Sequence, residues 1–225
     1  MTEGLRDILT NPHWLLGWAA LVIVSLGVLI HDLRSRNPEI MSLMRWVWLF
    51  TVAYSGPLGL AVYFYSGRKQ IARDSIWRRG FRSVAHCYSG CGAGEIIGVS
   101  IAAGLLSLGN LGIGLLTFAL AYVAGFCMTA GPLLQEGVGL RQALWDAVTS
   151  ETASITVMEL TAISVDLWLA ANATFGEPLF WSSLVVSLTM GLVAAYPVNV
   201  LLLHFGVKSA MHSPRDAAHS GGSGG

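Results

Sequence analysis

Charge is what this chain has least of. Asp, Glu, Lys and Arg make up 12% of its 225 residues, roughly half the share of a soluble domain, while 54% are hydrophobic and the mean hydropathy is +0.61. Such a chain has too few polar groups to cover a soluble surface, which leaves a multi-span membrane protein. An excess of one sign is missing too: 13 basic and 13 acidic residues cancel, so nothing selects nucleic acid as a partner. Three cysteines are too few, and odd in number, for a disulfide framework. A Walker-type phosphate loop and a soluble domain to hydrolyse ATP are also missing, so any transport is expected to be passive, ion-coupled or driven by a partner. Residues 1–11, MTEGLRDILTN, mix charges and lead into an apolar run long enough to span, which is not the pattern of a cleavable signal.

The hydrophobic runs set the expected fold class: all-α, a polytopic transmembrane helical bundle. A bilayer core of about 30 Å needs roughly 20 apolar helical residues. That ruler gives about six spans, near 13–31, 43–65, 86–107, 111–130, 147–171 and 179–205. Asn11 and Pro12 suit the start of the first, Gly131-Pro132 the end of the fourth, and Pro197 is expected to kink the sixth. Residues 1–211 read as a single domain. Residues 212–225 read as a flexible tail whose SGGSGG end has the composition of an artificial linker. With six spans both termini share a side with the loops 66–85 and 131–146. That side would hold every Lys and Arg except Arg34, Arg36 and Arg45, and the positive-inside rule assigns it to the cytoplasm.

One stretch, AHCYSGCGAGEIIG at 85–98, sets soft and titratable groups into an apolar context. It is expected to open the third span at its cytoplasmic mouth. On a helix Cys87, Cys91 and Glu95 follow an i, i+4, i+8 spacing and share a face, with His86 about 100° round from it. Two thiols a turn apart with an imidazole suit a soft or borderline cation: copper first, as Cu(I), with zinc or iron as further options. A carboxylate inside a membrane is expensive unless protonated, paired or metal-bound, which singles out Glu95 and, on the fifth span, Glu151, Glu159 and Asp166. Met128, Met158, Cys127, Glu151, Glu159 and His204 form a second rank of ligand candidates. Haem between His86 and His204 or His13 is chemically open but favoured by nothing.

The same residues have plainer readings. Cysteine buries readily, and a lone Cys127 suits packing better than ligation. Gly90, Gly94 and Gly98 repeat every fourth residue, a small-residue ridge that packs helices closely. His204 suits a membrane–water boundary, as do Trp14, Trp46, Trp48, Tyr65 and Trp181. The basic loop 68–82 suits topology and contact with anionic lipid. Packing, however, does not call for a histidine, two thiols and a carboxylate together.

The run HCYSGCGAGEIIG resembles the signature of a bacterial multi-pass membrane family, domain-of-unknown-function family 4396, roughly His-Cys-x-x-Gly-Cys-x-x-Gly-acid. ETASITVMEL (151–160) and AAYPVNVLLLHFGVKSAM (194–211) resemble later parts of the same family. The resemblance implies a helical membrane bundle and marks His86, Cys87, Cys91, Glu95, Pro197 and Asn199; Glu95 stands where an aspartate is typical. It implies little about mechanism.

The leading functional expectation is a membrane protein that binds or transports a soft metal in the bacterial inner membrane, alone, as a homo-oligomer or with a metal-handling partner. The polar side chains of the fifth span (Glu151, Thr152, Ser154, Thr156, Glu159, Asp166) would line a path. A membrane thiol or metal redox enzyme is the alternative, with the Cys87–Cys91 pair cycling between dithiol and disulfide. A structural assembly subunit, in which the cysteines are incidental, is the third.

Overall fold

A computed structural model of the chain describes residues 2–71, 73–135, 137–170 and 173–208. Their regular structure is entirely helical: α1 (Thr2–Thr10), α2 (Pro12–Ser35), α3 (Ser42–Ser55), α4 (Pro57–Ser66), α5 (Ile76–Val99) with a π-helical turn at Ser100–Leu105, α6 (Asn110–Gln135), α7 (Leu140–Ala170) and α8 (Pro178–His204). Four of these, α2, α6, α7 and α8, are long and apolar enough to cross a membrane. The chain is therefore an all-helical membrane protein, its long helices close to four of the expected spans.

The expected span at 43–65 is not one helix. It breaks at Gly56, whose φ of 54° lies in the left-handed region that glycine occupies without strain. Pro57 follows, and a proline disfavours helical backbone in the residue before it while suiting the first position of the next helix. Trp48 of α3 and Tyr63 of α4 meet edge to face at 5.4 Å, and a Cβ built on Gly67 would stand 2.6 Å from the Trp48 ring. The end of α4 thus lies beside the first half of α3, so the two form an antiparallel hairpin. The tip at Gly56 lies against Trp18 and Val22 of α2.

The hairpin brings its two ends together. Arg68 binds Asp32, Lys69 pairs with Glu39 at 2.9 Å, and Gln70 Nε2 donates to the Arg36 carbonyl at 3.1 Å. Residues 66–70 and the loop after α2 therefore occupy the same end of the bundle, not opposite ends as six continuous spans require. From this end α5 rises. It starts at Ile76, ten residues before His86, with Ser75 capping it by accepting from the Arg78 amide.

The same end collects the C-terminal end of α6, the start of α7 and the end of α8. Ala130 packs on Ala143 and Ala147, Gly80 faces Val200, and Phe81 stacks on Tyr196 at 4.0 Å. The opposite end holds α1, where Leu9 packs on Leu169 and Ala170 and Arg6 Nη2 donates to the Trp168 carbonyl at 2.7 Å. Of the described Lys and Arg residues, all but Arg6 belong to the first end; it is called the basic end below.

The closest helix contact is α5 on α6. A Cβ on Gly94 would stand 2.6 Å from the Ala121 Cα, one on Gly98 2.7 Å from the Thr117 Cα, and one on Gly90 3.0 Å from the Gly125 Cα. The glycine ridge lets the two backbones touch, and dispersion between them replaces the hydrophobic drive that lipid does not supply.

Candidate functional site

Cys87 and Cys91 lie mid-helix in α5, roughly 16 and 22 Å along from Ile76, rather than at the helix mouth. Both are buried, and their Sγ atoms are 3.8 Å apart. The Ser154 hydroxyl of α7 donates to Cys87 Sγ at 3.7 Å. Cys91 points towards α6, where a Cβ on Gly125 would stand 3.1 Å from its Sγ and 2.8 Å from Ile155 Cδ1. Glycine at 125 leaves the room this thiol occupies.

From the cysteines a chain of hydrogen bonds runs to the basic end. Ser154 Oγ accepts from Asn199 Nδ2 at 2.5 Å; Asn199 Oδ1 accepts from Ser83 Oγ at 2.8 Å and from Lys208 Nζ at 3.0 Å. Lys208 Nζ lies 2.7 Å from the Glu151 carboxylate, which also accepts from Thr129 Oγ1 at 3.1 Å. Lys208 and Glu151 are only 8% and 2% exposed, so this is a buried ion pair whose charges are met by further hydrogen bonds. α5, α6, α7 and α8 each contribute to the chain.

In the other direction the polar groups lose their partners. Glu159 is buried with neither carboxylate oxygen hydrogen-bonded, and Glu95 is buried with Oε2 unpartnered. Beyond them a cavity of about 50 Å³ is lined by Glu95, Thr117 and Asp166, with Ser183 Oγ donating to Asp166 Oδ1 at 2.6 Å. Glu151, Glu159 and Asp166 are spread over roughly 22 Å of α7. With the thiols beside them they make a polar seam along the inside of the bundle.

The remaining sequence candidates divide sharply. His86 is buried with Nε2 unpartnered. Met158 is buried in the same core cluster as both cysteines and packs against Gly191 of α8. Met128 lies over Gly90, against the cluster formed by α2, α3 and α4. Cys127 is exposed, and His204 is exposed with its ring against Phe205, so neither joins the seam. Thr152 is exposed, and Thr156 hydrogen-bonds Tyr122, leaving Glu151, Ser154, Glu159 and Asp166 as the lining of α7. Among the described residues no three His, Cys, Asp or Glu side chains form a metal-ligating group. The tail 212–225, including His212, and Met211 lie outside the described residues.

Lys208 and Ser83 had no mark in the sequence, since a single lysine past a helix end and a single serine are ordinary; Asn199 was marked only through the family resemblance. The family model described as Domain of unknown function (DUF4396) matches residues 76–208. The chain belongs to the DUF4396 family. The matched DUF4396 segment begins at the first residue of α5 and ends at Lys208, so it contains the whole seam and leaves α1 to α4 outside. No curated protein and no solved structure matches the chain.

Proposed function

We propose that this protein binds a thiophilic metal ion, Cu(I) foremost, at Cys87 and Cys91, and passes it along the seam across the cytoplasmic membrane of a bacterium. The observation that carries this is the pair of buried thiols 3.8 Å apart within a polar seam. Two sulfurs each about 2.3 Å from one ion stand between roughly 3.8 Å apart at a tetrahedral angle and roughly 4.6 Å apart in a linear arrangement, so the pair needs to open by less than about 1 Å to share an ion. A structural zinc site takes four ligands, whereas only two thiols meet here, and thiolate softness favours Cu(I). Glu159, a buried carboxyl whose oxygens have no hydrogen-bond partner, is offered as the next ligand along the seam, and the metal is cargo rather than a resident cofactor.

Topology supports a direction. Five crossings (α2, α5 with its π-helical turn, α6, α7 and α8) and the re-entrant α3–α4 hairpin replace six crossings. The basic end then faces the cytoplasm by the positive-inside rule, and α1 lies on the other side. A cytoplasmic metal-handling protein would meet the seam at Lys208 and Glu151.

The test is metal content of the purified protein by elemental mass spectrometry after loading with Cu(I) under reducing conditions, beside Cys87→Ser/Cys91→Ser. Near-stoichiometric copper lost in the variant supports the proposal; equal copper in both sinks it. If neither binds metal but the wild type alone forms an 87–91 disulfide with a mild oxidant, the thiol-redox reading takes its place, and the 3.8 Å contact is the observation in its favour.

A further inference from the structure

The cavity at the end of the seam away from the basic end has a donor set unlike that of the cysteines. Its polar lining includes the Glu95 and Asp166 carboxylates and the Thr117 hydroxyl, with no sulfur. Glu95 and Thr117 are 3% and 4% exposed, and Glu95 Oε2 and Thr117 Oγ1 have no hydrogen-bond partner. Native structures rarely leave buried polar atoms unsatisfied, and a carboxylate away from water is costly without a counter-charge. The volume, about 50 Å³, admits a small ion with one or two waters, since a water needs roughly 10–15 Å³.

From these observations we infer that Glu95, Thr117 and Asp166 form a binding site for a small hard cation, an alkali or alkaline-earth ion held by oxygen. Oxygen-only ligands select such ions over soft ones. Three helices supply the donors: Glu95 from α5, Thr117 from α6 and Asp166 from α7, with Asp166 oriented by the Ser183 hydroxyl of α8. An ion there ties four helices together. The site does not depend on metal binding at Cys87 and Cys91.

Thermal unfolding of the full chain in detergent, with Na⁺, K⁺, Mg²⁺ or Ca²⁺ titrated against choline at constant ionic strength and pH, reads the site. One of these ions should raise the melting temperature saturably. Glu95→Gln and Asp166→Asn should each weaken its half-saturation at least tenfold, and Cys87→Ser/Cys91→Ser should leave it unchanged. Thr117→Val, which keeps shape and adds no charge, should weaken it severalfold if the carboxylate variants fail to fold. The inference is overturned if no ion stabilises more than choline. It is also overturned if the variants respond like the wild type, or if Glu95→Gln alone matches the ion's effect, which would mean that the carboxyl holds a proton instead.

Discussion

Arg68 clasps Asp32 across 36 positions of sequence, with Nη2 on Oδ1 at 2.8 Å and Nε on Oδ2 at 3.1 Å. Tyr63 OH and Asn37 Nδ2 donate to the same carboxylate at 2.8 Å each. The clasp joins the end of α2 to the end of α4 and closes the hairpin. Asp32→Ala strands three buried or half-buried donor side chains, and the expected loss is about 2–4 kcal/mol, less than for a fully buried pair because Arg68 is partly solvated. Chemical denaturation in mild detergent measures it. An unchanged midpoint would mean that the hairpin does not depend on the clasp.

Side-specific labelling separates the hairpin from a continuous crossing. Single cysteines at Glu39 and Lys69 in a background lacking Cys87, Cys91 and Cys127 should both react from the cytoplasmic face with a membrane-impermeant maleimide. A cysteine at Gly4, where an added side chain meets nothing within 4 Å, should react from the other face. Opposite sides for positions 39 and 69 would restore the six-span arrangement.

The α5–α6 seam of glycines has no spare volume. Gly94→Ala puts a methyl group 2.6 Å from the Ala121 Cα, and overpacking of that kind costs about 1–3 kcal/mol. Gly27→Ala on α2 meets nothing within 4 Å and should stabilise slightly, by about 0.5–1 kcal/mol from helix propensity. Thermal melts of the two variants should therefore move in opposite directions.

The Lys208–Glu151 pair should behave as a unit. Lys208→Met or Glu151→Gln alone leaves the other charge buried, at a cost of about 3 kcal/mol, while the double variant should cost less than the sum of the two. A double-mutant cycle on unfolding midpoints checks it; strict additivity would mean that the two charges are solvated independently.

Copper retention should also discriminate among the sulfur side chains. Cys87→Ser and Cys91→Ser each remove half of the proposed ligand pair and should lower Cu(I) affinity by at least tenfold, while Cys127→Ser, on an exposed face of α6, should change nothing. Competition with a colorimetric Cu(I) chelator measures both. A loss with Cys127→Ser would move the site.

Much of the bundle was legible in hydropathy because lipid imposes long apolar helices on any spanning chain. The hairpin was not, since its apolar composition runs unbroken through the reversal. Gly56-Pro57 was the local signal, and hydropathy averages it away. The true start of α5 was hidden for the opposite reason. Residues 76–85 carry Arg78, Arg79 and Arg82, which look like loop, yet Arg82 is buried and reaches the Ser66 carbonyl and Asp74. At the candidate site, residue type alone marked the thiols and Glu95. The groups that connect the thiols to the basic end, Ser83, Asn199 and Lys208, come together only through packing: 57 positions separate Glu151 from Lys208, and no pattern along the chain encodes that distance.

The length of α7 carries one more consequence. Thirty-one residues span about 46 Å, half as long again as the hydrocarbon layer of about 30 Å. The surplus holds the polar first turns, with Arg141, Gln142 and Asp146, and ends near Glu151. Glu151 thus stands near the depth at which acyl chains give way to headgroups. Thicker membranes set that end of the bundle deeper among the acyl chains, and thinner ones bring it closer to water. Acyl-chain length is therefore a physical handle on the basic end of this protein, adjustable by changing the host lipid and no residue at all.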